Sequence, residues 1–350
     1  MAIARLVECK ADDILFTSGA TEANALAILG VARAARGRGV AHPHILYWPG
    51  SHASIVENVR LAEAEGALVE ELPIRGAQVD CEALVRMLRP ETVLVALEAV
   101  CGETGVVWNT REVRQTLEVG QTRYGQQLSI PGLSNRRPML HLDASQAAWT
   151  QKLTRAHFGA DLLTLDSSKV CEARGIGCLI TPRTIPLMPL YGGGGQERAL
   201  VPGSEAPALA AAFAGGLKRA AEGRAAFHTR ALSMRTKLVE TIRQGIPGVL
   251  VNESSVAQDP HILNISLLGR DTDYLVALLD EAGFAVSTKS ACESDSGTGS
   301  RPVFALFGNA ERAAATLRIS WGSGVRPRDL MHFARELIRA VAFIDSSRAP

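Results

Sequence analysis

A repeated alternation constrains this chain most: short apolar runs ending in small or polar residues, separated by longer stretches of helical period. The runs are DILFTSG, HILYWPG, VLVALEAV, MLHLDAS, ADLLTLD and GIGCLITPR. Each has the length and apolar content of a strand buried on both faces. Between them lie ATEANALAILGVARAARGRG, HASIVENVRLAEAEG, CEALVRMLRP and REVRQTLEVG, where apolar residues return at helical spacing. The alternation predicts an α/β fold whose mainly parallel sheet is covered by helices on both faces. In such sheets ligands bind beyond the carboxyl ends of the strands, so the polar residues that close each run are the candidates for function.

At 350 residues the chain exceeds the size at which one core usually stops growing, which predicts a large domain and a smaller one. The stretch QTRYGQQLSIPGLSNRRP, rich in Gly, Pro, Asn and Ser, reads as a surface excursion. From about Ser204 an Ala-rich stretch reads as a helix or broken helix pair bridging to the second domain. There HILNISLLG, DYLVALLDEAG, FAVSTKSAC, ATLRISWG and RDLMHFARELIRAVAFI give an α+β pattern. The expected domains are residues 1–222 and 223–350.

Charge excludes several classes. Lys plus Arg number 37 against 36 Asp plus Glu, a net charge of +1, so nothing points to nucleic acid or a membrane surface. No run approaches the roughly 18 continuous apolar residues of a spanning helix, and MAIARLVECKADD lacks a signal-type apolar core, which makes the cytoplasm the expected location. Six cysteines are scattered without CxxC pairs or zinc-ligand spacing, so neither disulfides nor a metal site is expected.

The strand ends carry the chemistry. SGATEANALAI places Gly19, Ala20 and Thr21 directly before a helix, where free backbone N–H groups and the helix dipole favour an anion such as phosphate; ordinary N-capping by Ser18 or Thr21 is the alternative. HLDASQAAW closes a strand with Asp143, followed by Gln146. A buried acid there needs a cationic partner, and the ring nitrogen of a pyridinium cofactor would serve. LLTLDSSKV puts Lys169 just past another strand, where an amine in a cleft suits Schiff-base chemistry, although a plain surface lysine is commoner. Together the three are the anchors of pyridoxal phosphate. Cys292, inside the polar loop FAVSTKSACESDSGTGSRP, reads as an exposed thiol that is a candidate for chemistry, with an accidental surface cysteine as the equal alternative on this stretch alone.

On these residues the chain resembles the cysteine desulfurase family, in the class V aminotransferase group of fold type I pyridoxal-phosphate enzymes. The resemblance runs from about Asp12 to about Arg328 through ILFTSGATEANALAI, SHASIVENV, GETGVV, HLDASQAA, ADLLTLDSSK, LYGGGGQER, STKSAC and LRISWG. It implies that Lys169 takes the cofactor's aldehyde, that Asp143 pairs with the ring nitrogen, and that Gln146 contacts the ring hydroxyl. It further implies that His52 stacks on the ring and moves protons, that Ala20 and Thr21 hold phosphate with Ser168 beside Lys169, and that Ser204 reaches the phosphate of a neighbouring subunit in a homodimer. Arg318 would bind the carboxylate of L-cysteine, and Cys292 would take its sulfur as a persulfide for a sulfur acceptor or iron–sulfur scaffold protein.

The sequence also departs from the family pattern. Ser168 replaces a histidine, Asp166 a phosphate-binding serine, Gly102 an asparagine and Val201 an arginine, and the N-terminal segment is expected to be short. Two alternatives stay open: a non-catalytic homologue that binds partners as a dimer, and a related lyase or transaminase.

Overall fold

The structure is a computed structural model describing residues 1–124, 137–288 and 299–347. It divides into two compact units, Met1–Val100 with Trp108–Arg224, and Cys101–Val107 with Ala225–Pro350. The segment Cys101–Val107 thus groups with the C-terminal part of the chain, and the division falls inside a helix, Pro207–Gly245. That helix is continuous for 39 residues where the sequence also allowed a broken pair.

The first unit is built on strands β1 (Ile14–Thr17), β2 (His44–Tyr47), β3 (Leu68–Glu71), β6 (Thr92–Glu98), β7 (Met139–Asp143), β8 (Leu162–Asp166) and β9 (Gly177–Ile180), with β4 (Ile74–Arg75) and β5 (Gln78–Val79) forming a small hairpin. The sheet order is β1-β9-β8-β7-β6-β2-β3. Strands β3, β2, β6, β7 and β8 run parallel; β9 is antiparallel to both β8 and β1. All six apolar runs are strands, and residues of β2, β6, β7 and β9 are buried throughout. The seventh strand, β3, exposes Leu68 and Glu71 at the sheet edge, and such a strand carries no continuous apolar run to find.

Helix α1 (Ala2–Leu6) precedes β1, and helix α2 (Ala20–Arg36), whose first turn takes in the Ala20 and Thr21 expected just before it and leaves Gly19 as its N-cap, lies in the core of this unit. Its Ala23, Leu26, Ala27 and Ile28 are fully enclosed, and burial of side chains such as Leu26 and Ile28 contributes about 1.5–3 kcal/mol each. The alanines let helix and sheet approach closely. Where β9 passes the turn before α2, only glycine fits: a Cβ on Gly177 would stand 2.6 Å from the backbone carbon of Gly19. Helix α3 (Ala53–Ala64) packs beside α2 and starts directly after β2.

The second unit contains an antiparallel sheet ordered β10 (Leu250–Val251), β11 (Ile262–Ser266) and β12 (Thr316–Ser320). Helices Thr272–Glu281 and Pro327–Ser346 belong to it; the latter buries Leu330, Phe333, Ala334, Leu337, Val341 and Ile344 at helical spacing.

Candidate active site

The parallel strands of the first unit bring their carboxyl ends together, with Asp143 closing β7 level with Glu98 of β6 and Thr164 of β8. Asp143 is 7% exposed. Its Oδ1 accepts the Ser145 N–H at 2.9 Å and its Oδ2 accepts the side-chain amide of Asn24 at 2.8 Å. The same Asn24 Nδ2 donates to Ser54 Oγ at 2.8 Å, and Ser54 Oγ lies 2.8 Å from His52 Nδ1. A hydrogen-bonded chain therefore joins Asp143 to His52 through Asn24 and Ser54.

His52 caps α3, its Nδ1 accepting the Ser54 N–H at 3.2 Å. Since Nδ1 accepts from a backbone donor, the bond pattern assigns the neutral ring's proton to Nε2. The ring itself is exposed. The helix-cap role and an available Nε2 coexist in one side chain.

Asn24 and Ser54 were not among the sequence candidates. The signal for Asn24 was present: an amide inside the run ATEANALAI must find partners once that helix is buried, and buried polar side chains are almost always hydrogen-bonded. Ser54 gave none, because a serine near a helix start is ordinary.

Lys169 ends a short 3₁₀ turn, Ser167–Lys169, directly after β8. Its carbonyl accepts the Trp149 indole N–H at 3.0 Å, which fixes the backbone, while the side chain is exposed with its Nζ unpaired among the described residues. Gln146 is half-buried in the turn Ser145–Ala147 that follows β7.

The start of α2 is held by carboxylates. Asp166 Oδ2 accepts the Ala20 N–H at 2.8 Å, its Oδ1 accepts the Ser168 N–H at 2.7 Å, and Glu22 accepts the Ser18 N–H at 2.7 Å. Thr21 is exposed and its hydroxyl makes no hydrogen bond among the described residues; Ser168 is exposed too. Ser204 is exposed and lines a cavity of about 640 Å³ together with Thr17, Ser18, Glu22, Tyr191 and Glu197, a space not bounded by Asp143 or Lys169.

In the second unit Arg318 sits half-buried on β12, its guanidinium donating to the Gly102 carbonyl at 3.4 Å and its backbone paired with Ser287. Cys292 lies outside the described residues. Among the described residues no group of His, Cys, Asp and Glu is arranged to hold a metal ion, and no helix is long and apolar enough to cross a membrane.

The family model described as aminotransferase class-V matches residues 1–331. The chain belongs to the class-V aminotransferase family. It is 29% identical over 328 residues to "Cysteine desulfurase IscS 1" of Archaeoglobus fulgidus, covering 91% of this chain and 78% of that protein. It is 28% identical over 342 residues to the cysteine desulfurase of Mus musculus, covering 97% and 70%. Among solved structures, a NifS-like protein superposes with a TM-score of 0.85 at 21% identity over 98% of this chain and 86% of that one, a likeness of fold. DndA from Streptomyces lividans superposes with a TM-score of 0.74 at 28% identity, covering 91% and 86%.

Class-V aminotransferases use pyridoxal phosphate, so the fit of this member's residues to that cofactor can be tested end by end. At the ring end they fit. Asp143 is a buried acid with a donor on each oxygen, and the adjacent Asn24 Oδ1 and Ser145 Oγ are buried polar atoms with no hydrogen-bond partner among the described residues. Lys169 presents an unpaired amine past the neighbouring strand. At the phosphate end the first amide of α2 is already bonded to Asp166.

Proposed function

We propose that this class-V aminotransferase is a cysteine desulfurase that converts L-cysteine to L-alanine, carries the sulfur as a persulfide on Cys292, and acts as a cytoplasmic homodimer passing sulfur to an acceptor or iron–sulfur scaffold protein. The observation that carries the reading is the chain Asp143–Asn24–Ser54–His52 at the strand ends, with Lys169 exposed and its amine unpaired among the described residues in the turn after the neighbouring strand β8. A structure of SspA in complex with cysteine, similar in fold with a TM-score of 0.69 at 23% identity, accords with the substrate class.

The cofactor, when bound through Lys169, would supply an electron sink for the substrate α-carbon. Asp143, nearly buried and oriented by Asn24 and Ser145, holds a negative charge where a ring nitrogen would keep its proton. His52, anchored through Nδ1, offers Nε2 for proton transfer. Lys169 Nζ supplies a second proton carrier, Gln146 a ring-hydroxyl contact, Thr21 and Ser204 phosphate contacts, and Arg318 a bidentate partner for the substrate carboxylate. The Cys292 thiolate bonds to the substrate sulfur as the Cβ–Sγ bond breaks; the electron pair left toward Cβ takes a proton, and alanine departs.

One observation favours a second reading, a non-catalytic dimeric relative: Asp166 on the amide where phosphate is needed. An absorption spectrum of the protein with pyridoxal phosphate, before and after L-cysteine, separates the two. A visible-edge band that shifts with cysteine and is lost in Lys169→Ala is the expected result. A folded protein with no such band at saturating cofactor would replace the enzyme reading with the second one.

A further inference from the structure

Asp166 and the start of α2 carry an inference that rests on the pyridoxal-phosphate reading and goes beyond it. Four observations meet there. The Ala20 N–H, one of the first-turn donors that a helix cannot satisfy internally, is bonded to Asp166 Oδ2 at 2.8 Å. The other oxygen takes the Ser168 N–H at 2.7 Å, so both lobes of one carboxylate are seated on backbone amides. A Cβ on Gly19 would meet Asp166 Oδ2 at 3.4 Å, so the carboxylate fills the space beside the turn. Gly177 leaves that turn no room to retreat, since even a methyl group there would strike the Gly19 backbone.

We infer that Asp166 is a built-in occupant of the anion seat at the head of α2, a specificity-determining residue that a cofactor phosphate must displace before it can bind. The reasoning is electrostatic and geometric. A helix N-terminus stabilises one anion at its first-turn amides. Asp166 supplies that anion from the end of β8, immediately before the Lys169 turn. A phosphate group carries a charge of about −1.5 to −2, and bringing it against a fixed carboxylate sets like charges together while competing for the same N–H. Phosphate therefore gains the seat only when Asp166 turns away. A cofactor form lacking phosphate, held by Asp143 and Lys169 alone, meets no such competition. The site should discriminate little between pyridoxal and pyridoxal phosphate, and removing the Asp166 charge should restore the preference for the phosphorylated form.

The test uses the whole chain freed of cofactor, as wild type, Asp166→Ser and Asp166→Asn. Pyridoxal phosphate and pyridoxal are titrated by absorbance, and melting is followed with and without inorganic phosphate. Expected is at least tenfold tighter binding of pyridoxal phosphate by Asp166→Ser, pyridoxal affinity within twofold of wild type, and a melting temperature raised by inorganic phosphate in the variant only. Asp166→Asn, which keeps one oxygen for an amide, covers the case in which the serine variant does not fold. Equal pyridoxal-phosphate affinities, with no protection by inorganic phosphate in either variant, would overturn the inference and leave the enzyme reading intact. No band with either aldehyde in any chain, but protection of the variants by inorganic phosphate, would keep the occupied seat and end the enzyme reading.

Discussion

Replacing Asn24 by Ala tests the arrangement on which the proposed chemistry stands. Asn24 is fully buried, and its single amide nitrogen serves both Asp143 and Ser54. A hydrogen bond to a charged group is worth about 1.5–3 kcal/mol net and one to a neutral group about 1 kcal/mol, so the variant should lose about 3 kcal/mol from the first unit. The loss comes mainly from Asp143, which keeps the Ser145 N–H but has an oxygen left without its donor. Urea unfolding followed by the buried Trp48 and Trp108, whose ring centroids lie 4.5 Å apart at a tilt of 60° in this unit, reports it as a lowered midpoint. A cycle with Ser54→Ala should show coupling of about 1 kcal/mol, because the two residues share one bond. The variant Asn24→Asp sharpens the test: a second carboxyl facing Asp143 would raise the pKa of the pair above the unfolded value. Such a chain binds more protons folded than unfolded, so it should gain stability as pH falls from neutral, until the same carboxyls are protonated in the unfolded chain as well. A loss below 1 kcal/mol in Asn24→Ala, or strict additivity with Ser54→Ala, would refute the network as an energetic unit.

Two further outcomes are expected. Burial pushes His141 down to about 4 against the pull of Asp143, and burial with the nearby Arg89 charge does the same to His44. The unfolded chain takes these protons first, near the ordinary value of 6.5; stability is therefore full above that pH and falls toward pH 4, by about 2 kcal/mol per histidine at pH 5. A urea midpoint that is flat between pH 7 and pH 5 would contradict this, and His44→Asn should remove part of the slope. At the opposite end of the same strands, Arg137 donates to both oxygens of Asp161 at 2.7 and 2.8 Å, and both residues are buried. Burial pushes the Asp161 carboxyl up, but the Arg137 bonds and charge, the Leu140 N–H and Arg114 outweigh it and hold it below the usual range. Arg137→Ala should cost about 1.5–3 kcal/mol, since the carboxylate keeps Arg114 and the Leu140 N–H but loses its two shortest bonds; a loss under 1 kcal/mol in urea unfolding would sink the assignment.

Strands buried on both faces announce themselves as apolar runs, which is why β1, β2, β6, β7, β8 and β9 are legible in the sequence and the exposed edge strand β3 is not. Asp143 and Lys169 are legible as candidates for a related reason: polar residues just past the strands stand out against the runs they follow, whereas His52 is reached only through the family resemblance. Asn24 stands out as an amide in a helix bound to be buried, but its partners are hidden, and Ser54 altogether, because they depend on which helix faces which strand end. Asp166 lies between these cases. Its charge is plain in LLTLDSSKV, but whether that charge meets solvent, a ligand or a helix terminus depends on its direction, and only the fold supplies that.

Helix α2 joins the two halves of the site. Ala20 and Asn24 are four residues apart, hence on one face about one turn from each other. One gives its backbone N–H to Asp166 at the end of β8, the other its side-chain amide to Asp143 at the end of the adjacent β7. Two neighbouring strand-end carboxylates are thus both partnered by one helix, Asp143 by a group that cannot be released without stranding a buried charge, and Asp166 by a terminal amide that solvent or phosphate could replace. Losing a capping interaction of that kind costs about 0.5–2 kcal/mol, less than the roughly 3 kcal/mol that removing Asn24 takes from the buried end. The Asp143 end of the proposed site is therefore the more firmly held and the Asp166 end the more exchangeable, so substitutions at Asn24 should move stability first, and substitutions at Asp166 should move ligand preference first.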